Sequence, residues 1–170
     1  MRLSGEVLIG EERIRARVAE LAAAIAADTP AGGTISAVVL MDGASVFASD
    51  LLRCIPGPVR IAFVSLPSAD RGGDPRSLVL PESFPVAGQD VLVVEDILDT
   101  GKTLSALVPH LERLRPARVR VAVLLDKPSR RMAPFRADYV GFEVGDVWVV
   151  GYGLDADGLH RNLPYLTYTV

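Results

Sequence analysis

The sequence predicts an α/β fold built on a parallel sheet, and three observations predict it. Four short runs (residues 59–64, 91–94, 119–125 and 139–142) are β-branched or aromatic and nearly continuous in apolar residues. That is the pattern of strands covered on both faces, as in parallel sheets. The second and third runs are separated by a stretch of helical spacing, which makes a right-handed strand–helix–strand unit. The second run also ends on acidic residues and a Thr-Gly turn that opens that helix. In an open parallel sheet the carboxyl ends of the strands are where ligands bind. The 170 residues, 49% of them hydrophobic, suit one domain over 1–170, with roughly 70% of the unfolded chain's surface buried.

The elements follow in order. Residues 11–28 read as a helix, with Ile14, Val18, Leu21 and Ile25 on one face and Glu12, Arg15 and Glu20 elsewhere. Thr29-Pro30-Ala31-Gly32-Gly33 stops it. An apolar run at 35–40 ends in the turn Asp42-Gly43, and 46–53 again has helical spacing. Leu104, Leu107, Val108, Leu111 and Leu114 mark the crossover helix, which Pro109 should kink or shorten. Residues 65–89 hold four prolines and the adjacent glycines Gly72 and Gly73, with no clear period. So long a connection is expected to be a mobile functional lid or an inserted loop.

Composition excludes several classes. A net charge of −3 with mixed signs gives no footprint for nucleic acid. The single cysteine, Cys54, rules out an internal disulfide or a cysteine metal cluster and is expected to be a small buried hydrophobe. The amino-terminal stretch carries acids and lacks an apolar core, so it does not read as a signal peptide. The apolar runs are strand-sized, so no membrane span and a cytoplasmic protein are expected.

The chemistry concentrates in Val91–Ser105, VLVVEDILDTGKTLS. A strand runs into Glu95 and Asp96, and Asp99 opens the turn Thr100-Gly101-Lys102-Thr103 at a helix start. Backbone N–H groups at a helix N-terminus make an anion site. Carboxylates beside an anion site make sense for a ligand with both a phosphate and sugar hydroxyls. A helix cap would explain Asp99 or Thr100 alone, but not the acid pair.

This segment resembles the phosphoribosyl diphosphate motif of type I phosphoribosyltransferases. The spacing differs from a Walker loop. Leu124–Pro128, Asp138–Glu143, Val147–Asp155 and Arg161–Tyr165 are similar to the hypoxanthine-guanine branch of that superfamily, and Val7–Glu11 and Val39–Leu52 to its earlier blocks. The resemblance implies a type I phosphoribosyltransferase fold with a small C-terminal hood. It implies transfer of the phosphoribosyl group from phosphoribosyl diphosphate to a 6-oxopurine in purine salvage, by a homodimer or homotetramer that uses Mg2+. Glu95 and Asp96 would contact the ribose hydroxyls, Asp99 would be the general base near purine N7, and Asp99 through Thr103 would hold the 5′-phosphate. Lys127 would read the 6-oxo group, Trp148 would stack on the base, and the backbone at Val149 would read the purine edge. Asp42, Gly43 and Arg161 would meet pyrophosphate, and Glu95, Asp96 and Asp155 would serve the metal.

Read from the residues alone, Lys127 is either a strand-end reader or a solvated surface lysine, and Trp148 either a stacking platform or plain core. Two departures from the family pattern stand out. Asp42 occupies a place where Lys or Arg often stands, and the lid lacks the usual tyrosine, leaving Arg71 and Arg76 as possible phosphate contacts. These departures leave a second reading, a phosphoribosyltransferase-fold regulator that senses a nucleotide without turnover. RNA binding in the manner of regulatory relatives is disfavoured by the charge and by the purine-branch blocks.

Overall fold

In a computed structural model, which describes residues 2–66 and 74–170, the chain forms a five-stranded parallel sheet with helices on both faces. The order of elements is α1 (Glu11–Ala27), β1 (Ile35–Met41), α2 (Ser45–Cys54), β2 (Val59–Ser65), β3 (Asp90–Leu98), α3 (Lys102–Glu112), β4 (Arg118–Asp126), β5 (Tyr139–Glu143), β6 (Trp148–Val150) and β7 (Thr167–Thr169). The large sheet runs β2-β1-β3-β4-β5, all parallel.

Alternation along the central strands explains why this sheet is covered twice. Leu92 and Val94 of β3, with Ala122 and Leu124 of β4, face α1 and α2 in one core cluster. Val91, Val93, Val121 and Val123 point the other way, toward Leu104, Leu107 and Leu111 of α3. Successive strand side chains point to opposite faces, so both faces of such a strand must be apolar. The α1 face expected from spacing is the buried one, with Ile14, Val18, Leu21 and Ile25 all in the core.

Four expectations change. The run at 59–64 is not covered on both faces: β2 is the outer strand, with Ile61 45% and Phe63 54% exposed. Cys54 is exposed rather than buried, because Leu51, Leu52 and Ile55 take the core-facing positions at that end of α2 and Cys54 falls on the outer face. Pro109 lies inside α3, which ends at Glu112, so Leu114 falls past the helix and is exposed. With no apolar period, the 65–89 stretch is expected to bury little apolar area, yet it seats Val86 in the core, with Leu78, Leu80 and Phe84 packed against it. Its first part, with Arg71, lies outside the described residues, and Arg76 is exposed and held by Asp74 at 2.8 Å.

A second, two-stranded antiparallel sheet pairs β6 with β7, and the N-terminal residues Leu3 and Ile9 bridge to Thr169 and Leu166. This is the hood the resemblance implies, and it brings residues 148–155 over the carboxyl ends of the large sheet. At the opposite end, buried Arg120 binds the Asp90 carboxylate, the Tyr139 hydroxyl, the Thr29 hydroxyl and the Ile25 carbonyl. This network ties β3, β4, β5 and the end of α1 together away from the ligand edge. Among the described residues no helix is long and apolar enough to cross a membrane.

Candidate active site

The strand order places a crevice. From β1 the chain moves outward to β2 and then returns to β3 on the other side of β1. Connections leaving β1 and β3 therefore diverge at their carboxyl ends, and ligands bind at such switch points. Here the loop after β1 carries Asp42 and Gly43, and the end of β3 carries Glu95 and Asp96. The two approach so closely that a Cβ on Gly43 would lie 1.6 Å from Asp96 Oδ2. Only glycine fits, for want of space. The Met41–Asp42 peptide is cis, and Asp42 itself is exposed, turned toward solvent.

Glu95 and Asp96 lie inside β3, which continues to Leu98, rather than beyond its end as the apolar run alone implied. Asp96 Oδ1 accepts from the Ile97 amide at 2.7 Å, and the Asp96 amide donates to Glu95 Oε1 at 3.2 Å. Burial raises the Glu95 carboxyl well above its ordinary range, and the neighbouring Asp96 charge and carboxyl–carboxyl hydrogen bond add to this. Burial also raises Asp96, against its hydrogen bonds and the Arg161 charge. Two crowded carboxyl groups that resist ionising together are poised for a cation or for hydroxyl donors.

After β3 the chain turns through Asp99 and Thr100 into α3. Gly101 is the N-cap residue, with φ at 80° in the left-handed region, and a Cβ there would meet the Ala133 carbonyl oxygen and Arg131 Cδ at 2.9 Å each. Glycine is thus required both by conformation and by space. Gly101 brings no capping side chain of its own, and the Thr100 hydroxyl accepts from the Lys102 amide at 3.5 Å; the positive end of the helix dipole at this turn suits an anion. Thr100 is buried, and its carbonyl accepts from the Met132 and Ala133 amides. Lys102 and Thr103 begin the helix.

Beside this turn is a cavity of about 230 Å³. Asp96, Asp99, Lys127, Trp148, Val149 and Asp155 all line it. Lys127 is not a solvated lysine: it is 6% exposed, and its Nζ donates to the Val147 carbonyl at 2.7 Å. That bond leaves two of the three ammonium donors for a ligand. Trp148 is not core: it is 53% exposed, and its indole Nε1 donates to the Asp155 carbonyl at 3.0 Å, which fixes the ring. Val149 is buried, and β6 pairing holds its backbone. Glu95, the 100–103 turn, Asp42, Gly43 and Arg161 lie outside the cavity lining.

Arg161 donates to the Gly153 carbonyl at 2.6 Å and pairs with Asp155 at 2.9 Å. Asp155 also accepts from the Gly158 amide at 2.7 Å. Glu95, Asp96 and Asp155 do not converge as one cluster, since no group of three such side chains able to hold a metal occurs among the described residues. The acid pair nevertheless fits magnesium, which binds through one or two carboxylates and completes its shell with water and substrate oxygens.

Sequence reading missed the two arginines after Pro128. Arg130 donates to Asp99 Oδ1 at 3.1 Å. Arg131 donates to the Leu98 carbonyl at 3.0 Å, and also binds the Asp99 carbonyl and the Asp126 carboxylate. The adjacent Arg-Arg pair after a strand-end Lys-Pro was the available signal.

Comparison with known proteins gives a consistent picture. The family model described as phosphoribosyl transferase domain matches residues 9–157. The chain is 40% identical over 166 residues to the hypoxanthine-guanine phosphoribosyltransferase of Bacillus subtilis (strain 168), covering 95% of this chain and 91% of that protein. It is 38% identical to the protein of the same name from Aquifex aeolicus (strain VF5), covering 94% and 91%. Among solved structures it resembles a hypoxanthine-guanine phosphoribosyltransferase from Bacillus anthracis with a HEPES molecule in the active site. The TM-score is 0.88 at 37% identity, covering 99% of this chain and 98% of that one. A hypoxanthine phosphoribosyltransferase from Trypanosoma cruzi, in a ternary substrates complex, has a TM-score of 0.89 at 33% identity, covering 99% and 96%.

Proposed function

The chain belongs to the phosphoribosyl transferase family and is a hypoxanthine-guanine phosphoribosyltransferase-like enzyme of purine salvage; from that premise we propose that it moves the 5-phosphoribosyl group from phosphoribosyl diphosphate to a 6-oxopurine with the residues gathered at the β1/β3 crevice. The observation that carries this is one cavity in which Asp99, Lys127 and Trp148 meet beside the half-buried acid pair. A base reader, a stacking face, a proton acceptor and a sugar-binding pair are what such a transfer needs in one place. A sensor without turnover would need fewer of them, and the relatives are named as transferases.

A purine ring nitrogen bonds to C1 of the ribose as the C1–oxygen bond to pyrophosphate breaks, and the electron pair leaves with pyrophosphate. The ring N–H proton passes to Asp99. Glu95 and Asp96 accept hydrogen bonds from the ribose hydroxyls, and the 99–103 turn with the α3 N-terminus holds the 5′-phosphate. Lys127 donates to the 6-oxo group, Trp148 stacks on the ring, and the Val149 backbone reads its edge. Asp42 and Gly43, through their backbone, and Arg161 hold the pyrophosphate. Glu95 and Asp96 would hold magnesium, with Asp155 reaching it only through water or substrate oxygens, and the ion would supply charge neutralisation for the pyrophosphate. The protein contributes placement and fixed dipoles rather than a covalent intermediate. Residues 1–170 act as one domain, with the segment near 65–89 as lid, in a cytoplasmic homodimer or homotetramer.

The test is pyrophosphate release from phosphoribosyl diphosphate and magnesium with a panel of nucleobases. Hypoxanthine or guanine should support turnover and pyrimidines should not. Release with a pyrimidine alone, or with no base in the panel, would refute the assignment.

A further inference from the structure

Resting on the transferase reading above, we propose that Arg130 is a positioning residue for Asp99: its guanidinium holds the proton-accepting carboxylate toward the base cavity, and Asp146 is the counter-anchor that keeps it there. Arg130 closes the short turn Pro128–Arg130, and its amide donates to the Lys127 carbonyl at 3.0 Å. The turn thus joins the base-reading lysine rigidly to the arginine. From there Nε donates to Asp99 Oδ1 at 3.1 Å, and Nη1 lies 3.5 Å from Asp146 Oδ1. All three side chains line the same cavity as Lys127 and Trp148.

The two consecutive arginines divide the work. Arg131 fastens the backbone of the turn through the carbonyls of Leu98 and Asp99. The Asp99 side chain would still rotate freely about its χ angles, and Arg130 removes that freedom. A planar guanidinium suits this role because its donors point in fixed directions, which an ammonium does not provide.

The arrangement also accounts for charge through the reaction. When the purine N–H proton reaches Asp99, that carboxyl becomes neutral and Arg130 loses its partner. Asp146, already within ion-pair distance, remains to compensate it. Arg130 and Asp146 are both exposed, so solvent and Asp146 together carry that charge at the moment of proton transfer, and Asp99 can return to its place when it releases the proton.

The experiment combines steady-state kinetics with a double-mutant cycle. Arg130→Ala should lower kcat by roughly 10–100-fold, the cost of a misplaced catalytic group. KM for phosphoribosyl diphosphate and calorimetric affinity for the nucleoside monophosphate should stay within about twofold of wild type, because groups other than Arg130 hold the 5′-phosphate, the ribose and the base. Arg130→Lys should keep part of the rate, and millimolar guanidinium should restore part of it to Arg130→Ala. Asp146→Asn should show a smaller loss in the same direction. Wild-type kcat in Arg130→Ala, or equal losses in kcat and nucleotide affinity, would overturn the proposal. If Arg130→Ala does not fold, the same comparison is made on Arg130→Lys and Arg130→Gln. Thermal stability of Arg130→Ala, Asp99→Ala and the double variant gives the coupling of the pair without any turnover. Zero coupling overturns the proposal even if wild type releases no pyrophosphate, a result that by itself would instead sink the transferase reading.

Discussion

Replacing Gly43 with alanine is the sharpest perturbation the site offers. The added methyl would sit 1.6 Å from Asp96 Oδ2 and 2.6 Å from Asp96 Cγ. Ordinary carbon–oxygen contact is about 3.4 Å or more, set by steep repulsion below the optimum separation, so one partner must move by well over an ångström. Asp96 cannot swing away freely, because Oδ1 is held by the Ile97 amide at 2.7 Å and Glu95 lies beside it. The Gly43 backbone is no freer, since its carbonyl is close-packed under Gly153 of the hood. A misplacement of about 1 Å in a positioning group can cost about 100-fold, which corresponds to about 2.7 kcal/mol of barrier. Gly43→Ala should therefore lower kcat/KM for phosphoribosyl diphosphate by about 100-fold, with overpacking lowering stability by about 1–3 kcal/mol. Steady-state kinetics and thermal melts read both quantities. Combining Gly43→Ala with Asp96→Gly should recover the melting temperature, since the clash is gone, but not the activity. A single variant with wild-type kcat/KM and melting temperature would show that Gly43 and Asp96 do not approach as described.

Three further outcomes are expected. Because burial raises the folded Glu95 carboxyl above its ordinary value near 4.5, the native state keeps that proton longer than the unfolded chain. Stability present below that pH is then lost as pH rises through the raised value; melts from pH 4 upward should show a fall that Glu95→Gln flattens, and identical slopes for both proteins would contradict it. Arg120→Met leaves Asp90 buried with one arginine instead of two, which should cost about 3 kcal/mol in denaturant unfolding with turnover per folded molecule nearly unchanged; a loss below about 1 kcal/mol would mean the network is worth little. Lys127→Ala should erode the preference for hypoxanthine over adenine by about 1–3 kcal/mol, because the 6-oxo acceptor loses its donor, and an unchanged ratio of kcat/KM values would remove Lys127 from base reading.

What the sequence by itself determined about this protein is local. Continuous β-branched or aromatic runs identified β2, β3, β4 and β5 as strands, because a doubly covered strand admits few polar residues, while β1 showed only as an apolar run. Helical spacing of Ile14, Val18, Leu21 and Ile25 fixed the buried face of α1. The acid pair and the Thr-Gly turn follow one another within a few residues, so their joint chemistry was legible without coordinates. Tertiary structure alone decided the rest, because it depends on contacts between distant segments. An apolar run does not say whether its strand is inner or outer, so the exposed Ile61 and Phe63 of β2 had to be seen. The three-residue strands β6 and β7 are too short to show a period, and they exist because they pair across the hood. Lys127 and Trp148 each had two readings, and burial of one beneath Val147 and exposure of the other beside the cavity chose between them. The grip of Arg130 on Asp99 spans 31 residues of chain. Periodicity carries no information over such a distance, and only the parallel pairing of β3 with β4 brings the two together.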